Sequence, residues 1–78
     1  MRRTVKLPRL GDGTDEATVV EWLVEIGATV ESGTTLVVVE LDKVDADVPS
    51  PIDGTLVEIL VNEGDKVAVG AGICVIDG

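Results

Sequence analysis

The chain contains the same segment twice, and that repeat limits its fold more than any other feature. Laid without gaps at an offset of 37 (78 − 41 = 37), residues 17–41 (ATVVEWLVEIGATVESGTTLVVVEL) run along residues 54–78 (GTLVEILVNEGDKVAVGAGICVIDG), and nine of the 25 pairs are identical. Among them Gly27 falls on Gly64 and Gly33 on Gly70, while Val19/Leu56, Trp22/Ile59 and Leu36/Ile73 are apolar exchanges. A unit of this size cannot bury an apolar face by itself, so two copies must close on one another within a single small domain. The expected solution is a flattened sandwich or barrel with a pseudo-twofold axis.

Each copy reads as strand, glycine turn, short strand, glycine turn, strand. Short apolar runs rich in β-branched residues alternate with glycines, and no helical periodicity persists between the breaks, so the chain is all-β. Strands are expected near residues 5–7, 18–24, 29–30, 36–40, 45–48, 55–61, 66–67 and 72–76. The four repeated glycines suit turns that need positive φ. Residues 42–53, between the copies, form the hairpin that joins one half to the other, with Asp42-Lys43 at or beside its tip and the Pro49-Ser50-Pro51 stretch closing its edge. The counterpart of this joint in the second copy is residues 5–10, with Leu7-Pro8 resembling Val48-Pro49, which brings the N- and C-terminal strands together opposite the hairpin.

Charge and composition exclude several functions. A formal charge of −9, with 15 acids against six Lys and Arg, disfavours a nucleic-acid backbone or an anionic membrane as partner. The apolar runs are far shorter than the roughly 20 residues of a membrane span. Arg2-Arg3 is read as an exposed terminus, because Lys6, Pro8 and Arg9 interrupt any signal-like apolar region. Without histidine, imidazole metal ligation and the usual general base are missing. Cys74, the only cysteine, aligns with Val37 and reads as a small buried hydrophobe in a chain from a reducing compartment. Gly11-Asp12-Gly13 with Asp15 and Glu16 lacks the spacing of a calcium loop, and Asp45 and Asp47, on one face of a strand, read as edge protection, so no metal site is expected.

Lys43 is the candidate for chemistry. It lies in Glu40-Leu41-Asp42-Lys43-Val44-Asp45, at the joint between the copies, where a long flexible stem ending in an amine can enter another enzyme's site and be acylated. Lys66 is an internal control: Asp65-Lys66-Val67 repeats Asp42-Lys43-Val44, but inside a copy, opposite Thr29. The tripeptide alone does not define the site; its position does.

These residues resemble a known family. The stretch from Glu40 to Pro51, ELDKVDADVPSP, is similar to the lipoylation motif of lipoyl domains from the dihydrolipoamide acyltransferase (E2) component of 2-oxo acid dehydrogenase complexes, within the biotinyl/lipoyl attachment family. Leu7-Pro8-Arg9-Leu10-Gly11, Thr18-Val19-Val20-Glu21-Trp22 and Gly64-Asp65-Lys66-Val67 extend the likeness over nearly the whole chain. The resemblance implies a barrel-sandwich of two four-stranded antiparallel sheets, with residues 1–78 a single lipoyl domain lacking linker, subunit-binding and acyltransferase segments. It implies lipoic acid in amide linkage to Lys43, attached by lipoate ligase or by octanoyl transferase with lipoyl synthase. The resemblance further implies that Glu40, Asp42, Val44 and Asp45 help those enzymes and E1 recognise the hairpin. The domain is then a carrier rather than an enzyme. Its swinging arm shuttles acyl groups and reducing equivalents between the thiamin diphosphate-dependent E1, the E2 catalytic domain and dihydrolipoamide dehydrogenase (E3), in the bacterial cytoplasm or in the mitochondrial matrix of a eukaryote.

Two positions depart from the family pattern: Leu41 replaces a small or hydroxylated residue, and Ala17 a glycine. A biotinyl carrier shares the fold but has methionines beside its lysine, where Asp42 and Val44 stand here. An unmodified β-sandwich interaction module is the other alternative, and it leaves the hairpin lysine without a purpose.

Overall fold

A computed structural model describes residues 1–10, 15–42 and 44–78. The described residues form strands only: β1 Arg2–Lys6, β2 Glu16–Trp22, β3 Thr29–Val30, β4 Thr35–Leu41, β5 Val44–Pro49, β6 Gly54–Ile59, β7 Lys66–Ala68 and β8 Gly72–Asp77. They make two four-stranded antiparallel sheets, a terminal sheet ordered β1-β8-β6-β3 and a hairpin sheet ordered β5-β4-β2-β7.

The repeat generates this topology directly. Adding 37 to the residues of β2 and β4 gives β6 and β8 to within one residue at an end, and subtracting 37 from β7 gives β3 to the same margin, so the order of one sheet becomes the order of the other. Registers obey the same rule. Thr18 faces Glu40, Val19 faces Val39, Glu21 faces Val38 and Trp22 faces Val37. In the other half Thr55 faces Asp77, Leu56 faces Ile76, Glu58 faces Val75 and Ile59 faces Cys74. Even the bulges correspond, with Val20 and Val57 each the extra residue. Gly27, Gly33, Gly64 and Gly70 have φ of 96°, 94°, 93° and 91°, a conformation that side-chain-bearing residues rarely adopt.

Alternation places one face of every strand inside. Leu36, Leu56, Cys74 and Ile76 are completely buried, and Val5, Leu7, Val19, Val30, Val37, Val39, Val48, Val67 and Ile73 join them in one core between the sheets. Trp22 covers its edge: the indole Nε1 donates to the Val61 carbonyl at 3.0 Å, and the Trp22 backbone N–H donates to Glu63 Oε2 at 3.2 Å. Surface ion pairs such as Arg9–Asp15 at 3.7 Å, both side chains exposed, contribute at most about 1 kcal/mol. Apolar burial holds the fold together.

The expected strands are present, but those expected at 18–24 and 55–61 end two residues earlier, at Trp22 and Ile59, and the structure revises the first. The strand expected at 5–7 spans Arg2–Lys6, so the basic terminus is built into the terminal sheet opposite Asp77 and Ile76. Hydropathy could not reveal it, because an edge strand can be exposed on nearly every residue. Its alignment with β5 also changes. Val5 and Val48 pair with the equivalent residues Cys74 and Val37. Leu7 N–H donates to the Ala71 carbonyl as Ser50 N–H does to Thr34. The equivalence is therefore Val5 with Val48, Leu7 with Ser50 and Pro8 with Pro51, two residues away from the Leu7-Pro8/Val48-Pro49 match. A two-residue slip keeps every side chain on the same face, which is why the pattern alone did not distinguish the two.

Candidate functional site at the joining hairpin

β4 and β5 pair along their whole length, from Thr35 opposite Pro49 to Leu41 opposite Val44. The connection between them is therefore two residues long, Asp42 and Lys43. Lys43 lies outside the described residues, so the site is defined by what brackets it. Asp42 has φ of 40°, the only positive φ on a non-glycine among the described residues. Two-residue hairpins favour primed turns, which need a left-handed first residue, and aspartate tolerates that conformation better than most side chains.

The two residues on either side of the turn are both apolar and sit in opposite environments. Leu41 is only 6% exposed and belongs to the core, whereas Val44 is 61% exposed. Leu41 thus ties the base of the hairpin into the core, and the departure from the family pattern at this position serves as an anchor. Val44 leaves an apolar surface beside the turn. Below it Glu40 and Asp45 face each other directly across the ladder, both exposed. Like charges so placed cost about 0.2–1 kcal/mol, so they do not serve stability. Asp47 is exposed on the same face and lies opposite Val38. The structure thus brings Glu40, Asp42, Val44 and Asp45 together around the turn.

β2 brings a second segment to this end of the hairpin sheet. Thr18 lies opposite Glu40, so Glu16 and Asp15 extend toward the turn. The Asp15 carbonyl accepts the Val69 N–H at 2.8 Å, which attaches the segment to β7. Residues 11–14, including Gly11-Asp12-Gly13, lie outside the described residues. Among the described residues no group of three or more acids or cysteines is placed to hold a metal ion. Cys74 is free and buried, and burial pushes its thiol up to about 11, which matches a packing residue.

Lys66 provides the contrast. It lies within β7 opposite Thr18, so the second Asp-Lys-Val is consumed by a strand, while the first spans a hairpin connection. The two tripeptides therefore occupy different places, one inside a strand of the second copy and the other at the connection between the copies.

A family model described as biotin-requiring enzyme, the biotin/lipoyl family, matches residues 3–76. The chain belongs to the biotinyl/lipoyl attachment family. This biotinyl/lipoyl domain is 46% identical over 72 residues to the dihydrolipoyllysine-residue acetyltransferase component of the pyruvate dehydrogenase complex of Acholeplasma laidlawii, covering 92% of this chain and 13% of that protein. It is 44% identical over 72 residues to the dihydrolipoyllysine-residue succinyltransferase component of the 2-oxoglutarate dehydrogenase complex of Staphylococcus saprophyticus, covering 92% of this chain and 17% of that protein. The domain therefore spans less than a fifth of these relatives. The solved lipoyl domain of the 2-oxoglutarate dehydrogenase complex from Azotobacter vinelandii superposes with a TM-score of 0.75 at 31% identity, covering 96% of this chain and 95% of that one. These sequence relatives are E2 acyltransferases, and the fold expected from the resemblance is the fold observed.

Two structural residues had no clear signal in the sequence. Ser50 is 2% exposed, and its hydroxyl donates to the Ile52 carbonyl at 2.6 Å, shaping the turn after β5. A serine between prolines reads as surface, and only its equivalence with buried Leu7 reveals its place. The indole clamp of Trp22 likewise depends on a strand pairing that is remote in sequence.

Proposed function

We propose that this lipoyl domain carries lipoate in amide linkage to Lys43 and passes acyl groups between the active sites of a 2-oxo acid dehydrogenase complex. The observation that supports it most is the two-residue hairpin itself. Its residue 42 has left-handed φ, its base is anchored through Leu41, and its sequence places a lysine at the remaining position. Asp42 and Val44 are both exposed, so neither side chain buries the attachment point, and the grooves beside β1 and beside the chain ends are lined by none of residues 40–45. A group attached here extends from the end of a β ribbon whose geometry the sheet holds constant. When bound, lipoate supplies a dithiolane that accepts acyl groups and electrons.

The chain's own residues supply recognition. The lipoylating enzyme, lipoate ligase or octanoyl transferase with lipoyl synthase, meets a two-residue connection with one acid before the lysine, a valine after it, and the Glu40/Asp45 pair below. E1 meets the same tip together with the segment around Asp15 and Glu16. Catalysis resides in E1, the E2 acyltransferase core and E3; this domain delivers. The assignment of acetyl or succinyl as cargo follows the parent complex, since the relatives include both. The bacterial cytoplasm is the proposed compartment.

Expression in a lipoate-competent host followed by peptide mass spectrometry should place the lipoyl mass on the Lys43 peptide, with Lys66 bare. Lys43→Gln should lose the modification and acylation by E1, yet melt within about 4 °C of the parent, because surface substitutions usually shift stability by no more than about 0.5 kcal/mol. Biotin on the Lys43 peptide would replace lipoate in the assignment, and modification of Lys66 with Lys43 bare would refute the positional argument.

A further inference from the structure

The acidic character of this protein is unevenly distributed. Four of its six basic residues, Arg2, Arg3, Lys6 and Arg9, fall within the first nine positions, which contain no acid. Three of them sit on β1, an edge strand paired only with β8. Among the described residues Arg2, Arg3 and Lys6 form no ion pair. The equivalent edge on the hairpin sheet is β5, where the residues matching Arg2, Thr4 and Lys6 are Asp45, Asp47 and Pro49. The two edges are thus related by the fold and opposed in charge.

The backbone of β1 points the same way. Met1 and Leu7 bond inward, toward Gly78 on one side and Gly70 and Ala71 on the other. Alternation along an antiparallel edge then turns the N–H and C=O groups of Arg2, Thr4 and Lys6 outward, unpaired with protein. Their side chains occupy the outer face, and Val5 points to the core. Beside this edge runs an apolar groove of about 410 Å3 lined by Thr4, Val5, Lys6, Pro8, Pro49 and Pro51. On β5 the proline at the outward position has no N–H to give, and two carboxylates repel an acidic visitor. A lysine on an edge strand also deters self-pairing, which suits a strand that must stay open for a different partner.

We propose that β1 is a docking strand for an acidic, extended protein segment, which adds to the terminal sheet antiparallel to Arg2–Lys6. In such a pair the residues opposite Arg2, Thr4 and Lys6 turn their amides toward β1 and their side chains onto the same outer face. Acids belong at those positions. The intervening residues point toward the groove and are apolar, so the partner motif alternates acid and aliphatic residue over about six positions. This surface includes neither Asp42 nor Val44 and operates whether or not Lys43 is modified.

The test uses the 15N-labelled, unmodified domain and the blocked peptide Glu-Val-Glu-Val-Glu-Val-Glu, followed by NMR titration. Saturable shifts should concentrate on the amides of β1, its β8 partners and the groove around Pro49 and Pro51, leaving Asp42 and Val44 unmoved. The double variant Arg2→Glu/Lys6→Glu should weaken binding by about tenfold or more and bind the matching lysine peptide instead. N-methylation of the glutamate amides should abolish binding, because it removes the strand hydrogen bonds and keeps the charge. Equal binding of the methylated peptide would reduce the surface to unspecific electrostatics and overturn the proposal. Shifts centred on Asp42 and Val44, an unaffected double variant, or tighter binding to phosphatidylglycerol vesicles through the same arginines would overturn it as well.

Discussion

Leu41 and Val44 allow the anchoring of the hairpin to be separated from its recognition. They are partners across the last rung of the β4–β5 ladder, yet Leu41 is 6% exposed and Val44 61%. Leu41→Ala removes most of a buried side chain at the margin of the core. Buried leucines lose about 2–5 kcal/mol on truncation, and a site at the end of a hairpin can partly collapse, which favours the lower part of that range, about 2–3 kcal/mol. For a domain of this size each kcal/mol shifts the midpoint by about 4–8 °C, so the melt should fall by about 8–24 °C. Val44→Ala removes surface that is already largely in water and should shift the midpoint by no more than about 4 °C. Thermal melts followed by Trp22 fluorescence measure both, and the lipoylation rate of each folded variant completes the comparison. Val44→Ala should slow modification at nearly unchanged stability, while Leu41→Ala below its melting range should slow it through a loosened tip. A Leu41→Ala melt within about 2 °C of the parent, or a larger loss for Val44→Ala, would refute the anchoring argument.

Further outcomes follow from other sites. Gly54→Ala should destabilise by about 1–3 kcal/mol, since a Cβ there would meet the Asp77 carbonyl oxygen at 2.6 Å and the Gly78 Cα at 2.9 Å; denaturant midpoints check it, and Ala17, the equivalent residue, already accommodates its methyl group in the other half. Asp42→Gly should leave the melt nearly unchanged and Asp42→Val should cost about 1–2 kcal/mol, because φ of 40° suits glycine and strains a β-branched side chain. Cys74 has its folded-state thiol raised from 9.0 to about 11 by burial, so the unfolded chain releases the proton first and stability is lost as pH rises from about 9 to 11. Cys74→Val, which copies Val37 of the other half, should flatten that part of the stability curve in urea titrations, whereas an unchanged slope would assign the loss to other groups.

Much of this protein is local in origin and therefore legible in the residues. The glycines at 27, 33, 64 and 70 mark turns because only they adopt the required φ cheaply, and alternation in residues 18–19 and 55–56 assigns inward and outward faces without any knowledge of the partner strand. The offset of 37 implied two equivalent halves, and the joint between them singled out Lys43 over Lys66. Tertiary pairing decided what lies beyond that range. The sequence admits Leu7 as the equivalent of either Val48 or Ser50 because a slip of two preserves the face, and hydrogen bonds to Ala71 and Thr34 select Ser50. Burial of Leu41 against exposure of Val44, the carboxylate pair Glu40/Asp45 and the opposed charges of β1 and β5 arise between strands, where distance along the chain carries no information. Side-chain chemistry is written residue by residue, but its neighbours are chosen by the closing of two sheets around one core.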